Sequence, residues 1–120
     1  MITLEELRNL REVGSQEQMK HFKRALENEK FLKKIEDGMR NNAKNGHDNF
    51  CIDDVLDDTY IPELKLSMND FLSDCDDKKY KIFRNEIVDF LKHRLPDFHI
   101  KAGIADELGN NVSINWKYKD

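Results

Sequence analysis

Four aspartates fall within six positions of "CIDDVLDDTYIPEL", residues 51–64: Asp53, Asp54, Asp57 and Asp58, set around Val55 and Leu56. Carboxylates this dense can ligate a hard cation, share a proton as a catalytic pair, or present a field to a basic partner. A calcium loop needs alternating oxygen ligands, a central glycine and a closing glutamate. This stretch has no glycine and puts two apolar residues at its centre. Asp74, Asp76 and Asp77 form a second cluster with the same deficiency. A catalytic pair requires one carboxyl with a raised pKa in a partly buried cleft, which spacing does not establish. Two readings remain: a solvated loop whose Asp76 caps the next helix, or an acidic face for a basic protein. The second follows from the distribution of charge. The whole chain carries a net −4, yet residues 47–77 hold one Lys/Arg against ten Asp/Glu, a local −9. A field of that size attracts and orients basic surfaces. Asp53, Asp54, Asp57, Asp58, Asp74 and Asp77 are therefore the candidate partner-binding residues.

The other chemistry-bearing side chains are less organised. His47 and Cys51 stand four apart, with Cys75, His93 and His99 downstream, and neither cysteine belongs to the paired knuckle of a structural zinc site. Cys75 falls at an apolar helix position and reads as a buried, inert thiol. There is no GxSxG elbow, no SxxK and no glycine-rich phosphate loop; "AGIADELG" lacks the lysine and the spacing. No catalytic residue, cofactor or metal is assigned, and the chain reads as a non-enzyme. Six lysines and arginines lie in residues 20–34, interrupted by Glu27 and Glu29. Together with the Glu29–Lys33 and Glu36–Arg40 spacings, that is the pattern of a solvated helix face. A nucleic-acid-associated module using the basic helices at 20–44 is the alternative.

These residues need a scaffold. The chain has 120 residues, 38% hydrophobic and 37% charged, with two prolines and five glycines. That suffices for one core and predicts long elements with short connections. No apolar run approaches the roughly 18 residues of a membrane span, and "MITLEELRNL" is no signal peptide. The expectation is a cytoplasmic protein without a membrane partner, with Cys51 and Cys75 as reduced thiols.

Thr3 with Glu6 makes a capping box, and Leu4, Leu7, Leu10 and Val13 follow as one apolar row. Gly14 is a suitable stop, and Ser15 opens a second helix with Met19, Phe22 and Leu26 on its buried face. Asn28 caps a third, carrying Phe31, Leu32, Ile35, Met39 and Ala43 and weakened at Gly38 by about 1 kcal/mol relative to Ala. Gly46 takes the left-handed position that ends it.

Phe50 and Ile52 suggest a short strand, and the acidic stretch reads as irregular chain ahead of Pro62. A short helix from Ser67 or Asn69 carries Met68, Phe71, Leu72 and Cys75. Asp76 then caps the clearest helix, with Tyr80, Phe83, Ile87, Phe90 and Leu91 at spacings of three and four, until Pro96 forbids continuation. Phe98, Ile100, Ala102 and Ile104, then Val112, Ile114, Trp116 and Tyr118, alternate about "GNN" as a hairpin. The last strand is placed at the sheet margin, where unpaired backbone invites a partner or a homodimer.

The fold class is α+β: N-terminal helices, a central long helix and a small, mainly antiparallel sheet ending in a C-terminal β-hairpin. Residues 1–120 form a single domain, with a helical part at 1–46, an acidic connecting region at 47–77, and a helix plus hairpin at 78–120.

The stretch "NEIVDFLKHRLPDFHIKAGIADELGNNVSINW" resembles the tails of small bacteriophage-encoded accessory proteins of unknown function. Ile87, Leu91, Leu95, Phe98, Ile100, Val112, Ile114 and Trp116 carry the resemblance, which covers the final third of the chain. It implies an accessory, non-enzymatic factor and transfers no functional residue. The leading expectation is thus a small interaction protein that binds a protein partner with a basic surface, through its acidic face or a sheet edge. The basic-helix module stands as one alternative, and an enzyme or metal protein with a site assembled from distant aspartates as another.

Overall fold

In the computed structural model, which describes residues 1–102 and 112–116, local hydrogen bonding starts most of the helices. The chain runs α1 (Leu4–Leu26), α2 (Glu29–Lys44), β1 (Asn49–Cys51), α3 (Asp53–Asp58), β2 (Tyr60–Ile61), β3 (Leu66–Ser67), α4 (Met68–Ser73), α5 (Asp77–Arg94), β4 (His99–Ala102) and β5 (Val112–Asn115). Four helices start on side-chain caps. Thr3 accepts from the Glu6 N–H at 3.1 Å, Asn28 from Lys30 at 3.0 Å, Ser67 from Asp70 at 3.1 Å and Asp76 from Lys79 at 2.8 Å. Each satisfies one of the amides a helix start leaves without an internal acceptor. Gly46, at φ +85°, follows the end of α2 as expected.

The first correction is at Gly14. The helix does not stop there: α1 is one continuous helix of 23 residues. A glycine in a helix interior costs only about 1 kcal/mol, less than the hydrogen bonds lost by breaking the helix around it. The continuous helix carries its N-terminal end past the start of α5, and the apolar row of Leu4, Leu7, Leu10 and Val13 stays exposed. The molecule's extents of 62 × 26 × 24 Å reflect that projection.

The core gathers where the helices overlap. Phe22 of α1, Phe71 of α4 and Phe83 of α5 form a triad, with centroids 5.0 Å apart for Phe22–Phe83 and 4.8 Å for Phe71–Phe83, both edge-to-face. Aromatic pairs prefer this geometry because the positive ring edge meets the negative face. Phe31 of α2 meets the half-buried Phe90 of α5 at 5.9 Å. Ile35, Ile52, Leu56, Ile61, Met68, Ile87, Leu91 and Ile114 are buried in the same cluster.

The three-stranded sheet has the order β1-β5-β4, antiparallel throughout, with Phe50, Ile114 and Ile100 in one cross-strand row. The last strand is therefore central and not marginal: β5 is paired on both sides, and β1 and β4 are the edges. Val112 and Ile114 are buried, as the alternation predicts, and Trp116 is half-buried against the same core. Ile104, the "GNN" turn and Tyr118 lie outside the described residues. Another correction concerns the acidic stretch. It is the short helix α3, followed by a two-stranded hairpin of β2 and β3 turned by Pro62–Lys65, with Lys65 left-handed at φ 57°.

Candidate functional site

Two surfaces stand out: the acidic helix α3 with its neighbours, and the projecting half of α1. α3 exists because Val55 and Leu56 bury themselves beside Ile52, which turns Asp54, Asp57 and Asp58 outward and leaves Asp53 half-buried. Asp53 and Asp54 occupy its first turn, where the helix dipole favours negative charge. Asp57 and Asp58 occupy its last turn, where the dipole disfavours it, and no basic residue stands there. Local helix stability thus accounts for the first pair and not for the second. Asp57 accepts a 2.7 Å hydrogen bond from the Asn69 side chain, tying the end of α3 to the start of α4. Asp54, Asp57 and Asp58 are exposed and Asp53 is half-buried. None of the ion pairs among the described residues engages any of the four.

Asp53 has a second neighbourhood. Its Oδ1 is buried without a hydrogen-bond partner, and its charge bears on two groups beside it. The Cys51 thiol is pushed up, first by burial and then by the Asp53 and Asp54 carboxylates, against a lowering hydrogen bond from the Asp53 backbone. The Tyr80 phenol is also pushed up, again chiefly by burial, with the Arg84 guanidinium 5.5 Å from its ring opposing the shift. A nucleophilic cysteine needs a lowered pKa; Cys51 has the opposite. Cys75 is likewise raised by burial, and its thiol donates to the Phe71 carbonyl at 3.2 Å. Neither arrangement activates sulfur.

The remaining predicted residues separate from α3. Asp74 ends α4 and Asp77 lies in the first turn of α5. Asp74 and Asp76 border a recess of about 770 Å³ between α1 and α5, with Met19, Ile82 and Phe83 contributing apolar surface and Lys78 and Lys79 on its rim. The acidic residues thus form two groups, one along α3 and one at the α4–α5 joint beside lysines.

Of the eight lysines and arginines at 20–44, four meet acceptors of their own chain. Lys23 pairs with Glu86 at 3.7 Å, Arg24 with Glu63 at 4.0 Å, and Arg40 with Asp37 at 3.1 Å. Lys34 donates to the Asp58 carbonyl at 3.4 Å. Phosphate binding relies on cations free to replace counterions, and these four are turned toward acceptors of their own chain. Among the described residues, no group of three His, Cys, Asp or Glu side chains stands where it could hold a metal ion. No helix among them is long and apolar enough to cross a membrane.

Sequence reasoning missed the second surface. Leu4, Leu7, Leu10 and Val13 leave 65, 51, 61 and 57% of their surface exposed, and Ile2 leaves 70%. Their helical spacing was visible, but the same spacing marks a buried stripe and an unpartnered one. Single exposed leucines are ordinary, whereas a contiguous apolar patch on a soluble domain marks an interaction site. Near the base of this arm Ile82 of α5 is also half exposed. Comparison with protein-family models, with curated proteins and with solved structures finds no match for this chain.

Proposed function

We propose that this chain is a small, non-enzymatic protein-interaction factor of the cytoplasm whose principal binding element is the projecting half of α1. The observation that carries this reading is the row of Leu4, Leu7, Leu10 and Val13, exposed on a helix that leaves the body of its own domain, with Ile2 exposed just ahead of the Thr3 cap. An amphipathic helix of this kind binds by laying its apolar residues against a complementary protein surface. The acidic helix α3 acts as a second surface, whose exposed Asp54, Asp57 and Asp58 steer a basic region of the partner during encounter. The free thiols of Cys51 and Cys75 suit a reducing compartment.

The test is the pair Leu7→Glu and Leu10→Glu in one chain. Because neither side chain is buried in the body, the melting midpoint should stay within a degree or so of the parent, as for surface substitutions generally. Complexes recovered by the tagged parent should be lost by the variant. A variant that unfolds would place the row in a core, and a variant that keeps every complex would remove the arm from the interface.

A further inference from the structure

We infer that the surface covering the α1 arm is the arm of a second copy of this chain, so that the protein forms a two-fold dimer through residues 4–13. The inference rests on the reading of the arm as a binding element and names its occupant. It begins with the spacing. Leu4, Leu7, Leu10 and Val13 recur every three residues, and at 100° per residue each step falls about 60° short of a full turn. The four side chains therefore make an oblique ridge that crosses the helix face, inclined by roughly 45° to the axis. Glu5, Arg8, Asn9 and Glu12 occupy the opposite face. Glu6 and Arg11 sit on the ridge side, symmetrically about the midpoint between Leu7 and Leu10, one on each flank.

That symmetry makes the surface complementary to itself, which is what a two-fold interface requires. When two such ridges lie side by side, the helices cross at nearly a right angle, and the bodies attached beyond residue 15 point apart. Two kinds of two-fold axis bring the ridges together. An axis across the ridge sets Glu6 against Glu6 and Arg11 against Arg11 of the partner copy. An axis along it sets Glu6 of each copy against Arg11 of the other, forming two ion pairs around the central leucines. Electrostatics selects the second. Neither Glu6 nor Arg11 joins an ion pair among the described residues, so both are free to make these contacts.

The area fits a reversible dimer. Four large side chains each exposing half or more of their surface amount to on the order of 400 Å² per copy, about 800 Å² in all, below the standard size of stable interfaces and in the range of weak, transient ones. A membrane surface is a poorer occupant, since the polar face carries Glu5 and Glu12 where interfacial helices concentrate Lys and Arg.

Sedimentation equilibrium or light scattering over a concentration series through the micromolar range measures the outcome. The parent should rise from 14.2 kDa toward twice that mass. Glu6→Arg and Arg11→Glu should each hold the chain monomeric at concentrations where the parent dimerises. The double variant, and an equimolar mixture of the two single variants, should dimerise again, because in both the opposite charges face each other. If the parent stays monomeric, or both single variants dimerise as the parent does, the dimer is refuted. Melting of the Leu7→Glu/Leu10→Glu chain at low concentration separates the two levels. An unchanged midpoint with a monomeric parent refutes the dimer and leaves the arm as a surface for another protein. A collapsed midpoint removes the arm reading and the dimer together.

Discussion

Gly38, in the middle of α2, should resist replacement by alanine even though alanine is the better helix former. On helix propensity alone the change gains about 1 kcal/mol. The glycine, however, is the seat of the Phe50 ring: a Cβ there would overlap the ring's Cε1 and Cζ and come within 3.1 Å of Cδ1. Phe50 cannot move away freely, because β1 is held by β5 through the Phe50–Ile114 register and its side chain packs against the core. Forcing a methyl group into such a contact costs about 1–3 kcal/mol. The net for Gly38→Ala therefore runs from near zero to a loss of about 2 kcal/mol.

A double-mutant cycle isolates the contact. Phe50→Ala alone should destabilise by less than the roughly 3–5 kcal/mol of a fully buried phenylalanine, since Phe50 is half-buried. In that background Gly38→Ala should stabilise by about 1 kcal/mol, because the ring is gone and only the propensity remains. The coupling between the two sites is then about 1–3 kcal/mol, well above the few tenths expected of independent positions. Urea melts of the four chains, with unchanged slopes, give the numbers directly. If Gly38→Ala stabilises by the same amount with and without the ring, the glycine is not the seat of Phe50 and the packing of β1 on α2 is wrong.

Gly14→Ala should behave oppositely to Gly38→Ala: its Cβ meets nothing within 4 Å, so amide exchange along the arm should slow by up to the equivalent of about 1 kcal/mol, and faster exchange would contradict a continuous α1. Phe83→Ala should cost about 3–5 kcal/mol by urea melts, because it is buried in the Phe22–Phe71–Phe83 triad. Phe90→Ala should cost less, and equal losses would mean that Phe90 belongs to the centre of the core. Cys51, Cys75 and Tyr80 all have folded-state pKa values raised chiefly by burial. Their contribution is therefore complete below the free thiol value of about 8.5 and is lost as pH rises through the raised values. Cys51 is itself exposed while Cys75 and Tyr80 are half-buried, so urea midpoints should fall from pH 8 upward mainly through the latter two, and a flat or rising profile would refute their partial burial. Changing Asp53, Asp54, Asp57 and Asp58 together to Asn should leave the melting temperature level or raise it, because like charges on one short helix repel. It should also slow association with a basic partner and flatten its salt dependence; unfolding instead would make the aspartates structural.

The features legible in the residues alone are those that form within a few positions of one another. The caps at Thr3, Asn28, Ser67 and Asp76 each bond to an amide two or three positions away, so their partners are written beside them. The stripe of α5 and the alternation of Val112 and Ile114 were legible for the same reason: periodicity states which residues share a face. It does not state what lies opposite that face. The apolar spacing of Leu4, Leu7, Leu10 and Val13 does not say what covers them, and the length of α1 relative to α5 leaves them exposed beyond the packed elements among the described residues. Gly14 and Gly38 are both interior helix glycines, and nothing local separates one in open space from one beneath an aromatic ring. The acidic stretch became a helix because Val55 and Leu56 found a core assembled from segments distant in sequence, which outweighed the low helix propensity of aspartate. The placement of β5 between β1 and β4 depends likewise on pairing across some sixty residues. Secondary structure is local hydrogen bonding and was readable. Coverage is a property of distant surfaces meeting, and it decided which of the candidate residues remain free to bind.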